Sequence, residues 1–228
     1  MSFWSMPVMI MIRIFVVNDG APCTTLSRVN RVMVFCIAGW SGFFVMGVEL
    51  LSGRILAPSF GSGIYVWGGI ITVFMLALSL GYLLGGRWSL QEPTLRRLAL
   101  LLVLAAATTA PVALTAETLL DRLFDAFHDP RYGSLVSATL LFFVPTAICG
   151  MVSPYAVRLL VNEYRVTGQV AGLLYFVSTL GSAAGTLITS FYLVLWFDVT
   201  HILWGMSAIS LALGAAGAVL PQRHHALA

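Results

Sequence analysis

Six long apolar runs constrain what this chain can fold into. Each has about 20 residues or more with at most one charged side chain, and an α-helix needs roughly 20 apolar residues to cross about 30 Å of hydrocarbon. Only 9% of the residues are charged, whereas a soluble domain carries about 25%. The sequence therefore predicts an all-α integral membrane protein with six transmembrane helices. The predicted spans are 32–51, 64–85, 98–116, 132–157, 166–197 and 199–222.

The arginines predict how these spans are oriented. All 12 basic residues other than histidine are arginines, and three of them, Arg54, Arg122 and Arg131, fall in the loops on one side. The other nine fall on the side of the N-terminus, which the positive-inside rule makes cytoplasmic. We therefore expect a multi-pass protein with both termini in the cytoplasm. Its expected parts are a cytoplasmic or interfacial lead-in (1–31), a six-helix membrane domain (32–222) and a cytoplasmic tail (223–228).

Two segments are predicted to form helices outside the spans. The segment 117–127 places its apolar residues on one face, which is typical of an amphipathic helix on the outer surface. On the inner side, Ser153 and Pro154 resemble an N-cap followed by proline at the first helical position. A cytoplasmic helix is expected to begin there and to leave the fourth span at an angle.

A short motif occurs twice, one hundred residues apart. SLGYLLG (79–85) lies in the second span and TLGSAAG (179–185) in the fifth, which runs in the opposite direction. This spacing suggests two inverted three-helix repeats, an architecture found in many transporters. Alternatively, each GxxxG only lets two helix backbones approach closely. Both interpretations predict that Gly81, Gly85, Gly181 and Gly185 lie at helix contacts.

Glu49 is the one carboxylate inside a predicted span. It follows Arg31 by eighteen residues, or about 27 Å of helix, which places it near the outer boundary of the hydrocarbon. Arg54 is its candidate partner, and residues 58–61 are predicted to turn the chain back. We interpret the two residues as a boundary salt bridge. The alternative is that Glu49 handles a ligand or a proton.

Tyr175, Ser178 and Thr179 are polar groups in the fifth span that need partners in hydrocarbon. They are expected to form interhelical hydrogen bonds or, alternatively, to contribute to a substrate site. No nucleophile, base and acid stand at motif spacing, the three cysteines form no CxxC, and no glycine cluster lies between a strand and a helix. We therefore predict a non-enzymatic protein without catalytic, cofactor-binding or metal-binding residues.

Four extended motifs run along the chain: ELLSGRILAPSFGSGIYVWGGI, SLGYLLGGR, GMVSPYAVRLL and AGLLYFVSTLGSAAGTL. Together they resemble the membrane domain of bacterial membrane-bound spermidine synthase-like proteins, over residues 32–220. The resemblance implies the bacterial inner membrane. It also implies a cytoplasmic aminopropyltransferase-like domain in fused relatives, and we expect no counterpart of that domain within residues 1–228. GYLLGGRWSLQEPTLRR is similar to the basic loop in one half of a major facilitator transporter.

These observations lead to two expected functions. The first is a non-enzymatic integral membrane subunit or scaffold, which assembles in the lipid bilayer with other membrane or cytoplasmic subunits. The alternative is a half-size transporter that acts as a homodimer on a polyamine-like or other small substrate, around Glu49 and Tyr175. Neither function calls for a cofactor or a nucleic acid partner.

Overall fold

Six helices account for nearly all of the structure. The computed structural model describes residues 27–91, 93–127, 129–161 and 167–220. All six helices are long and apolar enough to cross a membrane, and the described residues form no strand, which confirms the predicted all-α membrane fold. The tail 223–228 and the lead-in up to residue 26 lie outside the described residues. The helices are α1 (Arg28–Phe60), α2 (Ile64–Trp88), α3 (Leu95–Ala126), α4 (Pro130–Leu160), α5 (Thr167–Trp196) and α6 (Val199–Val219).

Helix α1 extends nine residues beyond its predicted end. It begins after Ser27, whose side chain accepts a hydrogen bond from the backbone of Asn30, and it continues through Pro58. The turn predicted at 58–61 is therefore correct only at its last residue, because residues 58–60 are helical. Proline removes one backbone donor from a helix, and in the last turn this loss is not enough to end it. The chain turns instead at Gly61, whose φ of 78° favours glycine.

The two helices predicted outside the spans are not separate elements. Segment 117–127 begins inside α3, which runs unbroken to Ala126, because no glycine or proline separates it from the span before it. Pro154 lies inside α4, which continues to Leu160. In a membrane bundle, neighbouring helices and local backbone adjustments tolerate such prolines.

The central helices are α1 and α4, which contact each other. Helix α2 packs mainly on α4, and helix α5 packs mainly on α1. Helices α3 and α6 pack against each other, and the Trp40 indole of α1 donates a 2.8 Å hydrogen bond to Ser210 Oγ of α6. Within the described residues, α2 and α5 make at most marginal contact with each other.

Glycines allow the backbones of α5 and α1 to be in direct contact. A Cβ atom added to Gly181 would overlap the carbonyl oxygen of Gly39, and one added to Gly185 would overlap that of Phe43. Such close approach maximises van der Waals contact between helices in lipid. The second GxxxG motif is therefore the surface by which α5 packs on α1.

The first GxxxG motif packs α2 on α4 in the same way. A Cβ atom at Gly81 would overlap the carbonyl oxygen of Ala147, and one at Gly85 would lie 2.5 Å from the carbonyl oxygen of Met151. Only glycine lets these two backbones come so close. Both motifs thus lie on peripheral helices and contact a central one.

The two glycine contacts correspond position by position. Helix α2 contacts Ala147 and Met151 of α4, and helix α5 contacts Gly39 and Phe43 of α1. Ala147 and Met151 follow Gly39 and Phe43 by 108 positions, whereas the two GxxxG motifs are 100 positions apart. The same offsets relate a further pair of contacts. Cβ atoms at Gly42 and Gly150 would meet the carbonyl oxygens of Ser178 and Leu78, respectively.

The contact between the two central helices, α1 and α4, shows the same offset of 108 positions. Ser41 Oγ of α1 donates a 3.2 Å hydrogen bond to the carbonyl oxygen of Cys149 of α4, and these positions are again 108 apart. A two-fold operation that exchanges α1 with α4 maps this contact onto itself. These correspondences are what an inverted repeat of α1–α3 and α4–α6 predicts.

Candidate functional site

Glu49 lies on the face of α1 that turns toward α2 and α5. It is 9% exposed. It follows Gly42 by one heptad, and Gly42 contacts the backbone of Ser178 in α5. It precedes Gly53 by about one turn, and a Cβ atom at Gly53 would lie 2.6 Å from the Trp67 ring of α2. Residues at these spacings share one helix face, so this face meets α5 first and α2 further along.

The predicted salt bridge between Glu49 and Arg54 is wrong. The part of the chain that the structure describes contains no ion pair between them, and Arg54 is exposed whereas Glu49 is buried. The reason is the unbroken helix. Five residues correspond to a rotation of about 140° from one face to another, so the two side chains point apart.

The carboxylate of Glu49 has no hydrogen-bond donor or cation among the described residues. Ser52 Oγ donates a 2.6 Å hydrogen bond to the Glu49 backbone carbonyl and not to its side chain. An ionisable group inside the membrane is energetically costly, and it marks a candidate binding site when no structural partner compensates it.

Helices α2 and α5 both contact the central pair, and within the described residues they make at most marginal contact with each other. Tyr82 of α2 and Tyr175 of α5 lie close enough for their phenol groups to interact electrostatically. They are 50% and 53% exposed.

The three polar residues predicted in the fifth span have different environments. Tyr175 and Thr179 are exposed, and Ser178 is half-buried. The Ser178 carbonyl accepts a hydrogen bond from Ser182 Oγ at 3.1 Å and packs against Gly42. Gly42 of α1 and Ser178 of α5 are in contact, so they lie at the same depth. Glu49 follows Gly42 and Tyr175 precedes Ser178, so the helix rise separates Glu49 from Tyr175 by about 15 Å along the helices. The two candidate residues therefore lie at different depths of the helix bundle.

Two features of α5 and α2 were not predicted. One is Tyr82, which in sequence is indistinguishable from a lipid-facing aromatic residue. The other is a π-helical segment, Thr189–Leu193, of a kind that is frequent at functional sites. Thr189 is fully buried, its hydroxyl has no hydrogen-bond partner in the described ranges, and it faces α1 at Gly47. No sequence signal marks either feature.

The described residues contain no group of three or more His, Cys, Asp or Glu side chains placed to hold a metal ion. The candidate site is the carboxylate of Glu49, with Gly42 and Gly53 on the same helix face. A carboxylate in this position can bind a cation or exchange a proton. No family model, no curated protein and no solved structure matches the chain.

Proposed function

We propose that this chain is a non-enzymatic membrane carrier that binds a small cationic solute at Glu49. The observation that carries the proposal is the buried Glu49 carboxylate, which has no compensating cation within the described residues and lies on the face of α1 toward α2 and α5. A solute with a protonated amine would supply the missing positive charge. A proton alone would serve the same purpose during return of the empty carrier.

The arrangement of the two halves supports this proposal. In inverted-repeat carriers, substrate sites lie at the interface between the repeats, and rocking of one half against the other exposes them alternately. Helices α2 and α5 occupy corresponding positions in the two halves of this bundle, and Glu49 lies on the face of α1 toward both of them. The resemblance to spermidine synthase-like membrane domains and to the basic loop of major facilitator transporters favours a polyamine-like amine as solute.

A non-enzymatic subunit of a larger assembly is the second candidate. The exposure of helix α5 favours this second candidate. Only 11% of the most apolar 18-residue stretch of α5 is buried, against 33% or more of the same stretch in each of the other five helices. Another membrane subunit, or a second copy of the chain, would cover this surface. The mass of the intact assembly in mild detergent distinguishes the candidates, since tightly bound foreign subunits favour the scaffold.

We infer from the arginine bias that both termini lie in the cytoplasm, and from the resemblance that the membrane is the bacterial inner membrane. A cysteine at Ser62, in the turn between α1 and α2, should then react with a membrane-impermeant maleimide added to intact cells. A cysteine at Gln91, beyond the other end of α2, should react only after permeabilisation. Both residues are exposed, and the background should have its three natural cysteines changed to alanine. Labelling in the reverse order would invert the topology.

The transport proposal is tested with purified protein in liposomes. We expect saturable uptake of radiolabelled putrescine, and no uptake of 1,4-butanediol, which has the same carbon chain without the charges. Empty liposomes are the control. Putrescine uptake no faster than in empty liposomes, with spermidine and proton flux equally unaffected, would refute the carrier and leave the subunit.

A further inference from the structure

A groove between α3 and α6 combines an apolar lining with two positive charges. It lies at the end of the bundle where α3 begins and α6 ends, and its volume is about 270 Å³. Arg96 and Arg97 lie at the end of the groove nearest the start of α3, and apolar residues line the rest. We propose that this groove binds one anionic phospholipid, with the phosphate at the arginines and an acyl chain along the lining. The proposal is independent of any transport function.

Short side chains on α6 create the groove. A Cβ atom at Gly214 would lie 2.6 Å from Val103 Cγ2, so the two helices meet there. Beside this contact, Ala215 and Ala218 are exposed and present only methyl groups. They leave a channel next to Leu100 and Val103. Because these residues lie on membrane-spanning helices, the channel is open to the hydrocarbon of the bilayer.

The two arginines are placed to hold an anionic head group. Arg96 is exposed, and Arg97 is half-buried, with its guanidinium donating a hydrogen bond to the backbone carbonyl of Gln91. The lining of the groove is almost entirely apolar, so the arginines contribute their aliphatic stems to it. Near a membrane interface, arginines with buried stems keep their charged ends in the polar head-group region. Guanidinium groups match the geometry of phosphate oxygens, and basic pockets between helices on the cytoplasmic side bind anionic lipid head groups.

The apolar lining favours a phospholipid over a soluble anion. A free phosphate would occupy only the arginine end and would leave the apolar channel empty. The volume is slightly below the roughly 300–1,000 Å³ of pockets that enclose a whole small molecule. It therefore suits the head of a lipid and the first part of one chain, while the remainder lies in the bilayer.

Native mass spectrometry of the purified protein tests this site. The probes are phosphatidylglycerol and phosphatidylcholine with identical acyl chains. We expect one phosphatidylglycerol to bind more tightly than phosphatidylcholine, and Arg96→Gln to weaken that binding about five-fold, as expected for loss of one basic residue near the membrane surface. Ala215→Leu should also weaken it, by filling the channel without changing the charge. Both residues are exposed, so neither change disturbs the helix packing.

Arg28→Gln is the matched control, because it removes one exposed arginine at the same end of the bundle but outside the groove. It should leave phosphatidylglycerol binding unchanged. An equal loss in Arg28→Gln and Arg96→Gln would mean that general surface charge attracts the lipid. Unchanged binding in Ala215→Leu would place the acyl chain elsewhere, and displacement of the lipid by inorganic phosphate would assign the site to a free anion. Each of these three results overturns the proposal.

Discussion

Replacing Gly181 with leucine should prevent α5 from packing on α1. Even a Cβ atom at this position would overlap the carbonyl oxygen of Gly39, so a leucine forces the two backbones apart. Overpacking a contact costs about 1–3 kcal/mol or more, and here two backbones must separate. We expect the top of that range, which corresponds to a fall in Tm of roughly 6–12 °C for a chain of this size. Thermal unfolding in mild detergent measures it.

The control for this change lies on the same helix. Gly172 has open space around its Cβ position, so Gly172→Leu should leave Tm unchanged or raise it slightly through better helix propensity. The correspondence between the two glycine contacts adds a second expectation, because Gly81 makes the contact between α2 and α4 that Gly181 makes between α5 and α1. Gly81→Leu should therefore cost as much as Gly181→Leu, and Gly86→Leu, also in open space, should cost nothing. Equal Tm values for Gly181→Leu and Gly172→Leu would contradict the packing.

Replacing Glu49 with glutamine should abolish cation uptake while preserving the fold. Truncating one partner of a buried charge pair costs about 2–5 kcal/mol, which corresponds to a loss of solute affinity of roughly thirty-fold or more. Stability should not fall, because no cation is paired with Glu49 in the described part of the protein. Putrescine uptake in liposomes and thermal unfolding of the same preparation provide the two measurements.

Glu117→Gln is the matched control, since it makes the same change at an exposed carboxylate of α3, and its uptake should equal that of the unchanged protein. A double-mutant cycle adds a check on the helix geometry. The effects of Glu49→Gln and Arg54→Gln on unfolding should be additive within about 0.5 kcal/mol, because the side chains face apart. A stability loss of about 3–5 kcal/mol in Glu49→Gln, partly rescued by Arg54→Gln, would show that the two side chains do form a salt bridge.

Part of the candidate site follows from sequence. Glu49 stands out because it is the one carboxylate within a predicted span, and its depth follows from the helix rise. The absence of a partner for the Glu49 side chain cannot be deduced from the sequence, because the direction of Arg54 depends on where the helix ends. A turn at Pro58 is reasonable from local preference, yet α1 continues to Phe60 and carries Arg54 away from Glu49. Tyr82 became a candidate only through its electrostatic interaction with Tyr175 of α5.

The sequence by itself determined the class of protein and the number of helices. Hydrocarbon offers no partner for a backbone N–H or C=O group, so each apolar run must satisfy its own hydrogen bonds as a helix. Tertiary structure decided which helices meet and on which faces. Leucine is as compatible with lipid as with another helix, so hydrophobicity does not choose between them, and contact depends on where small residues of two helices coincide. The offset of 108 between α1 and α4 became visible only through those contacts.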